Sequence, residues 1–270
     1  MSVIFSILVA HYNNFEYFRE CYESLQQQTY KEFEIIVVDD GSSDESFKSL
    51  QQLVAGDERV KLFQNDENKG VGFTKKRCIE LASGTFCGFV DPDDKLTAEA
   101  IEESVKAYED TTVATYSQLY LCDENLYPEK IFPNTCKIKN SSQLFFNINF
   151  QVAHFLTFRK SSYLQTKGIG AHYQVAEDQD LILKLYEQGD FKYIQMPLYY
   201  YRVHTQGLSH QTEKLGIKQR NWHQVLSDTL ERRSITQLYG VLKDDISDLP
   251  AFIYEKQNTL IKKLLRKLSI

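Results

Sequence analysis

Four short apolar, β-branched runs alternate with amphipathic segments in the first ninety residues, and that alternation leaves few folds open. VIFSILV (3–9), FEIIVV (33–38), VKLF (60–63) and TFCGFV (85–90) have the length and composition of buried strands. Between them Phe18, Cys21, Tyr22 and Leu25, then Phe47, Leu50 and Val54, then Ile79 and Leu81 recur at helical spacing. Strands separated by helices imply right-handed crossovers, which predicts a Rossmann-like three-layer α/β/α fold around a mostly parallel central sheet. From about residue 111 the pattern changes to TVATYSQLYL, HFLTFR, FKYIQM and LYYYRV with short helices between, which predicts mixed strand pairing. Beyond Gly207 the chain reads as polar, charged helix. The expected organisation is a first half at 1–110, a second half of the same domain at 111–210, and a helical C-terminal extension at 211–270.

Composition excludes several classes of function. A formal charge of −6 and a pI near 5.6 argue against a protein that neutralises a nucleic-acid backbone. The five cysteines include no CxxC pair and are odd in number, so neither a zinc site nor a disulfide framework is expected and reduced thiols in a cytosol fit best. The apolar run from Val3 to Ala10 is too short for a membrane span and lacks a signal-peptide pattern, so it is read as a strand.

In an open α/β sheet, ligands bind beyond the carboxyl ends of the strands. Three polar stretches follow strands here: Ala10, His11, Tyr12 and Asn13; Asp39, Asp40 and Gly41; and Asp91, Pro92, Asp93 and Asp94. With Asp44 they bring six carboxylates to one sheet edge, an arrangement most economically explained by a bound cation. Mg²⁺ and Mn²⁺ take oxygen ligands and share them with phosphates, which suits a D-x-D turn. Taken singly, residues 40–44 also read as a turn with a helix cap, and 91–94 as a proline turn. Their joint placement after strands of one series favours a site.

The segments SILVAHYNN, EIIVVDDGSSD, NKGVGFTKKRCIELASG, FVDPDD and AEDQDLILKLYEQG resemble, in this order, those of family 2 glycosyltransferases. The likeness covers roughly 1–210 and implies a GT-A fold, an inverting reaction and a nucleotide-sugar donor, the first half holding the nucleotide and the second the acceptor. It implies that Ala10 and Tyr12 line the base pocket, Tyr12 stacking on a uracil-type base, and that Asp40 accepts a hydrogen bond from that base. Asp93 is the implied direct metal ligand, with Asp91 on the ribose or the metal, and Asp94 holding the turn. Lys76 or Arg77 adds positive charge near the diphosphate, Cys78 standing where the family usually has asparagine. Asp178 is the implied general base and Glu177 its orienting neighbour, although both also suit a helix N-terminus. In YYYRVHTQGLS, His204 is read as a third metal ligand or a phosphate donor, with Arg202 as its helper. His154, on the acceptor side, is either an acceptor contact or a structural residue.

HYNN after strand one lacks the glycines of a dinucleotide-binding loop or of a sugar-nucleotide nucleotidyltransferase, and no Walker A sequence occurs. A non-catalytic nucleotide-sugar-binding module is disfavoured because both acidic motifs are kept. The expected partners are a nucleotide-sugar donor, a glycan or lipid-linked acceptor in cell-surface polysaccharide synthesis, and no nucleic acid. The expected location is the cytoplasm. In the tail, Leu260, Ile261, Leu264, Leu265 and Leu268 alternate with Lys262, Lys263, Arg266 and Lys267, a basic amphipathic helix that either lies peripherally on the cytoplasmic membrane face or packs on protein, including a second copy.

Overall fold

The structure, a computed structural model, describes residues 5–205 and 215–259. The first four strands, β1 (Phe5–His11), β2 (Phe33–Asp39), β3 (Val60–Gln64) and β4 (Phe86–Phe89), alternate with helices α1 (Phe15–Gln26), α2 (Ser46–Leu53) and α3 (Val71–Leu81). A two-residue strand β5 (Lys95–Leu96) and helix α4 (Ala100–Lys106) lead into the long β6 (Thr112–Cys122) and β7 (Pro128–Ile131). Then come β8 (Thr157–Arg159), α5 (Lys160–Leu164), α6 (Glu177–Tyr186) and β9 (Asp190–Arg202). The last elements are α7 (Leu215–Arg232), a hairpin of β10 (Gln237–Leu238) and β11 (Val241–Leu242), and α8 (Leu249–Gln257).

One sheet runs through both stretches of the chain in the order β3-β2-β1-β4-β8-β6-β9-β5, with β7 paired to β6. The β3-β2-β1-β4 portion is parallel, as the strand–helix alternation predicts, and β8 joins antiparallel to β4 and β6. Strands β1 and β2 are buried on both faces, so their apolar runs are nearly continuous. Ile7, Val9, Ile35 and Val37 face a core shared with Phe18 and Leu25 of α1, Leu50 of α2 and Ile101 of α4. Leu8, Ile36 and Val38 face the opposite core, with Cys78 and Ile79 of α3, Leu181 and Leu185 of α6, and Leu226 of α7. These two cores make the three layers.

Two local expectations are corrected. FKYIQM and LYYYRV form one strand, β9, whose pairing with β6 skips two residues between Ile194 and Pro197. Pro197 has no amide hydrogen for the ladder, and a bulge absorbs it. The region after α7 is not all helix, because Tyr239 (φ 50°) and Gly240 (φ 86°) take the paired left-handed conformations of a tight hairpin turn. Nor is the extension an appendage, since Leu226, Leu230, Leu238, Leu249 and Ile253 are buried in the α3–α6 core. The amphipathic segment at 260–268 lies outside the described residues. Among the described residues no helix is long and apolar enough to cross a membrane.

Candidate active site

Strand order reverses at β1, which has β2 on one side and β4 on the other, so the loops after β1, β2 and β4 open onto one crevice. The acidic turn after β4 is held from behind. The Asp94 amide donates to the Asp91 carbonyl at 3.1 Å, and β5 pairs antiparallel with Tyr199 and Tyr200 of β9. Asp94, 2% exposed, accepts from the Tyr199 hydroxyl and the Arg202 amide, each at 2.7 Å. Burial, reinforced by Asp93 and Asp91, pushes its carboxyl well above the ordinary value. Asp94 is the turn's anchor.

Arg202 is not directed at the crevice. Its guanidinium lies 4.4 Å from the Tyr17 ring centroid and 3.2 Å from Glu20, and it donates to the Asp93 carbonyl at 2.7 Å and to the Glu124 carbonyl. The expected helper at the diphosphate is thus a buried brace beneath the turn.

His204 does reach the acids: its Nε2 lies 2.8 Å from Asp93 Oδ2, with the ring edge-on to Tyr17. Burial and the neighbouring Asp91 raise the Asp93 carboxyl although His204 acts in the opposite direction. At that distance the two atoms share a hydrogen bond, and an imidazole nitrogen beside a carboxylate oxygen is a donor set that Mn²⁺ also accepts. Among the described residues no three His, Cys, Asp or Glu side chains form a metal cage.

Facing this turn is the start of α6, entered through Ala176 in a left-handed conformation (φ 69°). Glu177 points inward and accepts from Lys75 Nζ at 2.8 Å, and the same ammonium lies 3.3 Å from Asp91 Oδ1. The Lys75 side chain is only 7% exposed, yet three carboxylates outweigh burial and hold its pKa well above the ordinary value. For Asp91, burial acts upward but Lys75 and His154 win, and its carboxyl falls below the usual range. For Glu177 burial, with help from Asp178, wins over Lys75 and raises the carboxyl. Asp178 lines a recess with Lys75, His154, Phe89 and Leu156. His154 stacks on Tyr199 at 4.8 Å and stands 3.9 Å from Asp91, which joins it to the acidic turn.

Sequence reasoning names Lys76 and Arg77 and omits Lys75. Lys76 sits on the outer face of α3, 4.0 Å from Glu80, while Arg77 donates to the Gln64 carbonyl at 3.0 Å and to the Asn65 side chain. Neither joins the acidic cluster. The signal for Lys75 was present: it lies three and four positions before Cys78 and Ile79, on the buried stripe of α3 that also carries Gly72.

The loops after β1 and β2 are tied together. Asn13 receives the Ser43 amide at 2.9 Å and donates its own amide to Ser42 Oγ at 2.9 Å, and buried His11 pairs with Asp39 at 2.9 Å. Ala10 is half-buried at the end of β1 and Tyr12 is 42% exposed. Asp40 accepts from Asn65 Nδ2 at 2.6 Å, the Lys69 amide at 2.9 Å and the Gly70 amide at 2.8 Å. Three donors commit it to ordering the 65–70 loop, leaving little capacity for a further partner.

A parallel β3-β2-β1-β4 sheet with an acidic turn at its switch point, extended by mixed strands and faced by a helix that opens on a second acidic pair, defines a GT-A-type domain. The chain belongs to glycosyl transferase family 2, whose model matches residues 6–165. It is 27% identical to a hyaluronan synthase of Pasteurella multocida over 93% of this chain and 25% of that protein. To a chondroitin synthase of Escherichia coli it is 28% identical over 93% of this chain and 36% of that protein. The chain thus spans about a quarter to a third of these relatives' length. Its fold is similar to that of Staphylococcus aureus TarS 1–349 in complex with UDP-GlcNAc, with a TM-score of 0.67 and 18% identity over 96% of this chain and 77% of that one.

Proposed function

We propose that this chain transfers a sugar from a uridine diphosphate sugar to a glycan or lipid-linked glycan acceptor, with inversion and with Mn²⁺ or Mg²⁺, in the synthesis of a cell-surface polysaccharide. The observation that carries the reading is the meeting of the Asp91–Asp93 turn and the Glu177–Asp178 helix start across Lys75. A nucleotide seated in the crevice finds Tyr12 exposed for stacking, the order of the Asp40-anchored loop beside it, and the acidic turn below. Asp93 and His204 would hold the ion, with Asp91 at the ribose or beside the ion. When bound, the ion supplies Lewis-acid charge to the departing diphosphate.

Asp178 then acts on the acceptor. It takes the proton of the acceptor hydroxyl as that oxygen bonds to the anomeric carbon, while the bond to the diphosphate breaks and its electron pair leaves with the nucleotide. Attack opposite the leaving group inverts the anomeric centre. His154, which lines the recess and stands 3.9 Å from Asp91, would meet the acceptor. A lipid-linked acceptor would bring the enzyme to the cytoplasmic membrane face, where the basic segment at 260–268 would add surface attraction.

A thermal-shift series tests this reading. Uridine diphosphate and its sugars with Mn²⁺ should raise the melting temperature, a ligand at a hundred times its Kd stabilising by about 2.7 kcal/mol, and guanosine diphosphate should not. A larger shift with guanosine than with uridine diphosphate refutes the base assignment, and shifts unchanged by EDTA refute the ion.

A further inference from the structure

The first turns of α3 do more than cover the sheet. Its Gly72 amide donates to the Tyr173 carbonyl at 3.3 Å, and a side chain at Gly72 would meet the Tyr173 and Gly170 carbonyls at 2.6 and 2.8 Å, so helix and loop pack backbone against backbone. That loop leads directly into α6. One helical turn further along α3, the Lys75 ammonium lies between Asp91 of the acidic turn and Glu177 of α6, and 5.5 Å from the Phe89 ring centroid. Without the ammonium, half-buried Asp91 and buried Glu177 would be carboxylates facing each other, with Asp178 beside them, and such groups separate or take up protons. The span between the donor-side turn and the acceptor-side helix therefore depends on one cation supplied by the protein itself.

We propose that Lys75 is a positioning residue for transfer, its ammonium fastening the Glu177–Asp178 helix start to the Asp91 turn so that Asp178 stands at a fixed distance from the donor. This rests on the transfer reading above. It assigns Lys75 no contact with the reacting atoms; it acts through Glu177 and Asp91. Its loss should therefore lower turnover and spare nucleotide affinity, because the base pocket is built by other loops.

The test compares wild-type protein with Lys75→Met and Lys75→Arg in three measurements: transfer kinetics, nucleotide binding by calorimetry, and hydrogen exchange of residues 170–180. Lys75→Met should reduce kcat about a hundredfold, the scale of an ångström-level misplacement. Its nucleotide Kd should stay within about threefold while exchange at 170–180 accelerates, and Lys75→Arg should recover much of both losses. Equal impairment of the two variants, or unchanged exchange in Lys75→Met, overturns the proposal. If the methionine variant does not fold, Lys75→Gln against Lys75→Arg makes the same comparison. Absence of transfer by the wild-type protein refutes the functional reading, and the exchange measurement then still decides whether the charge fastens α6.

Discussion

Replacing Gly72 with alanine should separate catalysis from stability more cleanly than any substitution of an acid. Gly72 does not occupy a left-handed conformation, so the added methyl group matters through space alone, and the built Cβ falls 2.6 Å from the Tyr173 carbonyl oxygen and 2.8 Å from that of Gly170. Restoring an ordinary contact requires those carbonyls to retreat by about 0.8 Å. Overpacking of this kind costs about 1–3 kcal/mol, whereas alanine in place of glycine favours the helix by up to about 1 kcal/mol. The net destabilisation is therefore roughly 0–3 kcal/mol, up to about ten degrees in melting temperature at this chain length. The retreating loop carries α6, so Asp178 moves with it, and a shift approaching 1 Å at a general base corresponds to a ten- to hundredfold loss in kcat. Transfer kinetics at saturating donor, nucleotide calorimetry and scanning calorimetry should give that loss with Kd within about threefold. A kcat within twofold of wild type would show that residues 170–176 yield without moving Asp178, and would refute the reasoning.

Asp178→Asn should lower transfer by about two to four orders of magnitude with nucleotide affinity intact, whereas an equal loss of nucleotide binding in calorimetry would assign Asp178 a structural role. Asp93→Asn should abolish Mn²⁺-dependent stabilisation by donor with little effect on the melting temperature of the free protein; activity persisting undiminished in EDTA contradicts the assignment. Glu34, far from the crevice, tests the linkage of charge to stability: burial acts upward, but bonds from Lys61, Ser6 and Ser83 hold its carboxyl at about 2 against an ordinary 4.5. A depressed acid contributes stability above its unfolded value and loses it as pH falls through the folded one, so Glu34→Gln should cost up to roughly 3 kcal/mol in urea denaturation at pH 7. The gap should close between pH 4.5 and about 2, and a gap independent of pH contradicts this origin.

The parallel half of the sheet was legible because its strands are buried on both faces and its helices on one, so hydrophobicity alternates on the scale of whole elements. The other half was less so. Strand β5 has two residues and β7 is exposed along its length, and neither leaves a periodic trace; both form because longer strands offer them an edge. The hairpin at 237–242 was obscured by its turn, where tyrosine takes the first left-handed position that asparagine or aspartate more often signals.

In the site, legibility followed the chemistry of the side chain. Aspartates after strands are conspicuous, because nothing in a parallel α/β core calls for them, and the Asp91–Asp94 acids were singled out on that ground, whereas Glu177 and Asp178, at a helix start where acids are ordinary, stood out only through the family resemblance. Cations were harder, since a lysine on a helix usually faces water and one counted by sequence alone is assigned there. Lys75 differs from Lys76 only in phase, falling on the stripe of Gly72, Cys78 and Ile79. Arg202 illustrates the converse: nearness in sequence to His204 placed it near the phosphates, but its longer side chain runs past the Asp93 carbonyl to the Tyr17 ring and Glu20 beneath the turn. An acid cluster shows where a site is, and the phase of the basic residues within their own elements decides which of them the cluster receives. At this sheet edge that phase selects Lys75, which is why the span between the acidic turn and α6 should answer to its charge.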